Sequence, residues 1–140
     1  MSGYEKYYHA MQNKVHHNYS MSIGSPEGLQ RLKQYLHDHF TGSKHGGLAN
    51  FQIASGGIRF ATLPADSYDT GSPIITRFGS IVGHAMTIVG YDDSVKVDFN
   101  GDGKYTNDID INGDFEVDMS DWEKGALIVV NSWGNLTETW

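Results

Sequence analysis

No cysteine occurs in the 140 residues. The chain therefore offers no thiolate nucleophile of its own, and cysteine usage says nothing about its redox compartment. Long apolar runs are missing as well. No stretch approaches the roughly 20 consecutive apolar residues of a membrane-spanning helix, and Met1-Ser2-Gly3-Tyr4-Glu5-Lys6 lacks a signal-peptide core. A soluble piece with no membrane partner is expected. Positive charge is scarce where charge is densest: residues 92–123 hold 11 of the 17 acidic residues and two lysines, so most of the formal charge of −7 belongs to one segment. Phosphate binding needs a basic patch, so no nucleic-acid partner is expected and a cation is the natural complement. With three prolines and no low-complexity linker, nothing divides the chain. Its 39% hydrophobic and 19% charged content fits one globular domain spanning 1–140.

The tyrosine-, histidine- and asparagine-rich residues 4–23 read as extended or irregular. At Ser25-Pro26-Glu27 an N-cap serine, a proline for the first helical position and an early acid open a helix. Leu29, Leu32, Tyr35, Leu36 and Phe40 then recur at helical spacing, with Gly42 as the stop. Ala49, Phe51 and Ile53 alternate with Asn50 and Gln52 as a strand does, up to Gly56-Gly57. Ile74–Phe78 and His84–Tyr91 read as further strands, and the apolar run Ala126–Val130 as a strand buried on both faces. These elements make an α+β domain.

Two strings carry chemistry. Gly83-His84-Ala85-Met86 opens one strand, and Val130-Asn131-Ser132-Trp133-Gly134 closes another. An asparagine oxygen that accepts from one imidazole nitrogen fixes the ring's tautomer and leaves the other nitrogen as the base. In their order and their strand settings both strings resemble the signature of papain-like cysteine peptidases. The resemblance implies that His84 is the general base, that Asn131 orients it and that Trp133 shields the pair. It also implies a fold in which one N-terminal helix packs on a curled antiparallel sheet, similar to the barrel-like C-terminal half of that family's catalytic domain. The other half of the family's domain, with the glutamine of the oxyanion hole and the cysteine on a helix N-terminus, has no counterpart here. Ser132 belongs to the asparagine turn, and Ser55, Ser72 and Ser80 lack the setting of the family's cysteine.

Between the strings, Asp98, Asn100 and Asp102 precede Gly103 with the spacing of an EF-hand-like loop, and Lys104 offers a backbone carbonyl. Position twelve is Ile109, which cannot ligate, so Asp108 or Asp110 is expected to close this loop. A second loop follows in tandem: Asp110, Asn112, Asp114, the carbonyl of Glu116, Asp118, and Asp121 at position twelve. Phe115 stands where a glycine is expected at its bend. With Val117 as an apolar anchor and aspartate last, this register resembles the calcium loops of dockerin modules. Calcium, held structurally, is the expected cofactor of the 92–123 insertion. Magnesium suits such a crowded all-protein oxygen cage less well. His16-His17 and His37-Asp38-His39 lack a partner cluster at zinc spacing.

The expectation is thus a fragment or subunit of a papain-like peptidase, inactive alone, that binds calcium. Its partner is an N-terminal half-domain carrying the cysteine, or a second copy through self-association. Peptide or protein substrate is expected only for the complete enzyme. The alternative is a non-catalytic calcium-binding recognition module or pseudopeptidase. The family and the calcium loops together suggest a secreted or cell-envelope setting.

Overall fold

Ser25 starts the main helix as its chemistry demands: its Oγ accepts the Gly28 amide at 3.2 Å and its carbonyl the Leu29 amide at 3.0 Å. The computed structural model describes residues 3–12, 18–40, 47–65 and 69–131, without the side chains of His39, Phe40 and Val82. Gly42, His16-His17, Ser132 and Trp133 lie outside these residues. Helix α1 spans Gly3–Gln12 and α2 spans Pro26–Phe40; the strands are β1 Ala49–Gly56, β2 Arg59–Thr62, β3 Pro73–Arg77, β4 Ile81–Lys96 and β5 Lys124–Val130.

One three-stranded antiparallel sheet has the order β1-β4-β5, and β2 pairs with β3 in a separate two-stranded sheet. Register explains which face of the larger sheet is covered. Ala49, Phe51 and Ile53 stand opposite Ile88, Met86 and His84, and Val129 stands opposite Ile88, so these side chains share one face. Helix α2 lies on that face, where Leu32 and Leu36 meet Ile88 in a small buried cluster. A bulge between Ile88 and Gly90 shifts the alternation by one residue, which brings Tyr91 opposite Leu127 and onto the same core. Lys33 reinforces the docking from α2, ion-paired with Asp93 and lying 5.2 Å from the centre of the Tyr91 ring.

Several expectations change. Residues 3–12 are helical rather than irregular. Tyr4, Tyr7, Tyr8 and Met11 in fact follow an i, i+3, i+4, i+7 stripe, but none of them is buried. Among the described residues β5 is an edge strand with one covered face: Leu127 and Val129 pack on the core, while Ile128 and Val130 are 46% and 49% exposed on the other. Its unbroken apolar run therefore does not reflect burial on both sides. The expected strand at Ile74–Phe78 forms as β3 but joins a hairpin with β2, a strand without a strong sequence signal, instead of extending the larger sheet. Among the described residues the two sheets do not close into a barrel. What stands is an α+β arrangement of two helices and antiparallel sheets.

Candidate functional site

His84 and Asn131 are 47 residues apart in sequence and in hydrogen-bonding contact in space. The cause is the β4–β5 ladder. Thr87 pairs with Val130, so strand alternation puts Asn131, the next residue, on the face of Met86. From there it reaches diagonally to His84, two residues along β4, and Nε2 of the ring lies 2.9 Å from Asn131 Oδ1. A carbonyl oxygen only accepts, so Nε2 carries the proton and Nδ1 is the basic nitrogen of the neutral ring.

The pair borders a cavity of about 260 Å³ whose other walls are largely apolar: Ile53 from β1, Met86 from β4, and Ile58, Phe60 and Ile75 around the β2–β3 hairpin. The hairpin is held to the larger sheet by its flanking chain. Gly79 donates to Ala54 O at 2.7 Å and Ser80 to Gly56 O at 3.1 Å. Gly79 must be glycine at this crossing, since a Cβ there would lie 2.0 Å from Gly56 O. Ser55 also lines the cavity.

The acidic insertion folds as two loops with one internal pattern. In the first, Asp98 Oδ1 accepts the Gly101 amide at 2.6 Å and Oδ2 the Gly103 amide at 2.9 Å. Asn100 accepts from Asp102 at 3.0 Å and Asp102 from Lys104 at 2.8 Å. In the second, Asp110 accepts from Gly113 at 2.7 Å and Phe115 at 2.8 Å, while Asn112 and Asp114 accept from Asp114 and Glu116, each at 2.9 Å. The bends match too: Gly103 has φ 75° and Phe115 φ 72°. Phenylalanine thus adopts the left-handed conformation expected of glycine, at a cost of about 1–2 kcal/mol, and the residue is 95% exposed.

Each loop is closed by a buried carboxylate. Asp121, fully buried, accepts the amides of Ile111 and Asn112 through Oδ1 and that of Asp118 through Oδ2, all at 3.0 Å. Glu123, 2% exposed, makes the equivalent contacts in the first loop, accepting Phe99 N through Oε1 and Thr106 N through Oε2, each at 2.8 Å. Neither Asp108 nor Asp110 takes this closing place: Asp110 spends both oxygens on the second loop, and Asp108 is exposed. The second loop is therefore nested inside the first. Glu123 escapes a reading of local spacing because it lies 25 residues beyond Asp98; its sequence signal is no more than an acid at the end of the acidic segment, immediately before Lys124, where β5 begins.

Among the described residues, no three carboxylate or imidazole side chains converge to hold a metal ion. In the insertion, the carboxylates of Asp98, Asp102, Asp110, Asp114, Asp118, Asp121 and Glu123 accept backbone amides. Asp38 lies beside His37 at 3.8 Å and belongs to no such group among the described residues. Comparisons with protein families, with characterised proteins and with solved structures return no match to this chain.

The Asp118 amide, above all, holds the Asp121 carboxyl below the usual carboxylate range; burial opposes it, and the Asn112 and Ile111 amides add to it. A depressed folded value means a stability contribution that is present above the unfolded value, near pH 3.9, and lost as pH falls through the folded one. Wild type should therefore lose melting temperature on acidification below about pH 4. Asp121→Asn should melt lower at pH 7 with a shallower acid slope. Parallel curves for the two would contradict the assignment.

Proposed function

We propose that this chain is the C-terminal half of a papain-like cysteine peptidase domain, with an inserted calcium-binding segment. The carrying observation is the 2.9 Å contact of His84 Nε2 with Asn131 Oδ1 at the edge of an apolar cavity. The helix, the antiparallel sheet and the two strings in order support the same reading.

In this reading His84 Nδ1 takes the proton of a cysteine thiol supplied by the other half of the domain. The thiolate attacks the peptide carbonyl, the imidazolium returns its proton to the departing amine, and water then hydrolyses the acyl-enzyme with His84 again as base. Asn131 keeps the ring in the tautomer that presents Nδ1. The chain alone has no covalent step available. Its partner is the cysteine-bearing half or, failing that, a second copy, and the exposed Ile128 and Val130 give either an apolar surface to cover. The substrate of the completed enzyme is peptide or protein, in a secreted or cell-envelope setting.

Calcium is the cation we assign to the insertion. The donors are all oxygens, as a hard dication requires: Asp98, Asn100, Asp102 and the Lys104 carbonyl with Glu123 in the first loop, and Asp110, Asn112, Asp114, the Glu116 carbonyl, Asp118 and Asp121 in the second. The bend repeated at Gly103 and Phe115 and the paired buried closures at Glu123 and Asp121 support treating the two loops alike. Bound calcium would offset repulsion among carboxylates and pin the excursion between β4 and β5. A non-catalytic calcium-binding recognition module is the second reading, favoured by the exposed Phe115 at a loop bend.

Two measurements test the proposal. Calcium at 100 times its dissociation constant should stabilise the chain by about 2.7 kcal/mol, visible as a rise of several degrees in melting temperature that chelator reverses; an unchanged melting curve would refute the metal assignment. Mixing the chain with a separately produced cysteine-bearing half should generate amide hydrolysis, lowered about 10²–10⁴-fold by His84→Ala. No activity, or activity indifferent to His84→Ala, would favour the recognition module.

A further inference from the structure

Strand β5 does not specify its own register. Ala126, Leu127, Ile128, Val129 and Val130 are all apolar, so a slip of one residue would exchange Leu127 and Val129 for Ala126, Ile128 and Val130 on the α2 face with little change in buried hydrophobicity. Register is strongly set where only one face of a strand is apolar, and weakly set otherwise. β5 is also an edge strand, and its ladder with β4 is interrupted between Ile88 and Gly90 and again between Asp92 and Lys96.

Polar contacts at the start of β5 are far more demanding. The Glu123 carboxylate accepts the Phe99 and Thr106 amides, each at 2.8 Å. The Glu123 carbonyl accepts Val97 N at 3.0 Å, and the Glu123 amide donates to Thr106 O at 3.0 Å and Asn107 Oδ1 at 3.0 Å. Asn107 also accepts Lys124 N at 2.9 Å and donates through Nδ2 to Lys124 O at 3.1 Å. Residues 123–124 are thus gripped by residues 97–107, which continue directly from β4. A slip would strand a buried carboxylate and several amides, and such groups are costly to leave unpaired.

We propose that Glu123 and Asn107 are positioning residues for the His84–Asn131 pair: by fixing the start of β5 they fix its register, and so bring Asn131 to His84. The displacement involved is decisive, because one residue of strand is about 3.3 Å, more than enough to break the 2.9 Å contact. The catalytic consequence rests on the reading of His84 given above. The positioning itself does not rest on that reading, and Asn107, which is not among the calcium donors assigned above, separates it from the cation as well.

The test reads the tautomer of His84 from imidazole ¹⁵N shifts of the whole chain at pH 8, in calcium-containing buffer, with the resonance assigned by its loss in His84→Ala. Wild type should show one tautomer with the proton on Nε2, and Asn131→Ala the averaged shifts of two. Glu123→Ala and Asn107→Ala should give the averaged pattern of Asn131→Ala, and Glu123→Gln, which keeps one acceptor, an intermediate one. Leu36→Ala, which weakens the core without touching the clamp, should melt lower and keep the wild-type tautomer. If both clamp variants fold and keep the wild-type shifts, or if both fail to fold, the positioning role is overturned. Absence of peptidase activity in a reconstituted enzyme would leave this readout untouched.

Discussion

Buried carboxylates that accept backbone amides hold this protein together where apolar packing does not reach. Residues 97–123 have no helix or strand to pair their amides. A chain that turns this often must satisfy those groups with side-chain oxygens or water. Asp98, Asp102, Asp110 and Asp114 do so at the surface, while Asp121 and Glu123 do so in the interior. The two interior groups matter most, because each ties residues near the front of its loop to residues near the back. Acidity that looks in composition like a solvated patch is, at these positions, an internal scaffold.

The scaffold connects to the candidate site through β5. Glu123 sits at the junction: its side chain closes the first loop and its main chain begins the pairing with β4. At the far end of the strand Asn131 meets His84. The long insertion and the polar pair are therefore the two ends of one ladder, and nesting one loop inside the other is what lets so long an excursion return to the neighbouring strand in a defined register. The β2–β3 hairpin adds the remaining walls of the cavity that the pair borders.

Much of this was legible in local sequence. Ser25-Pro26 announces α2, and the leucine spacing gives its buried face. The alternation at Ala49–Ile53 gives β1, and the His84 and Asn131 strings give a contact that the strand register then explains. What was not legible is non-local or ambiguous. Glu123 closes a loop that begins at Asp98, and a reading confined to twelve consecutive positions meets Ile109 instead. The stripe Tyr4, Tyr7, Tyr8, Met11 has helical period, but its exposed aromatic residues mark no core. The apolar run of β5 suits either an edge or a central strand, and only the topology separates them. Neither the short β2 nor its separation with β3 from the larger sheet has a pattern of its own.

The most direct test of the amide–carboxylate account is hydrogen exchange at single backbone amides, resolved by NMR in the intact chain with calcium present. Slow exchange is expected at Phe99, Thr106, Ile111 and Asp118, none of which lies in a helix or strand. Glu123→Ala should speed exchange at Phe99 and Thr106 and leave Leu32 in α2 protected. Exchange at Phe99, Thr106, Ile111 and Asp118 in wild type as fast as in an unstructured peptide would contradict it.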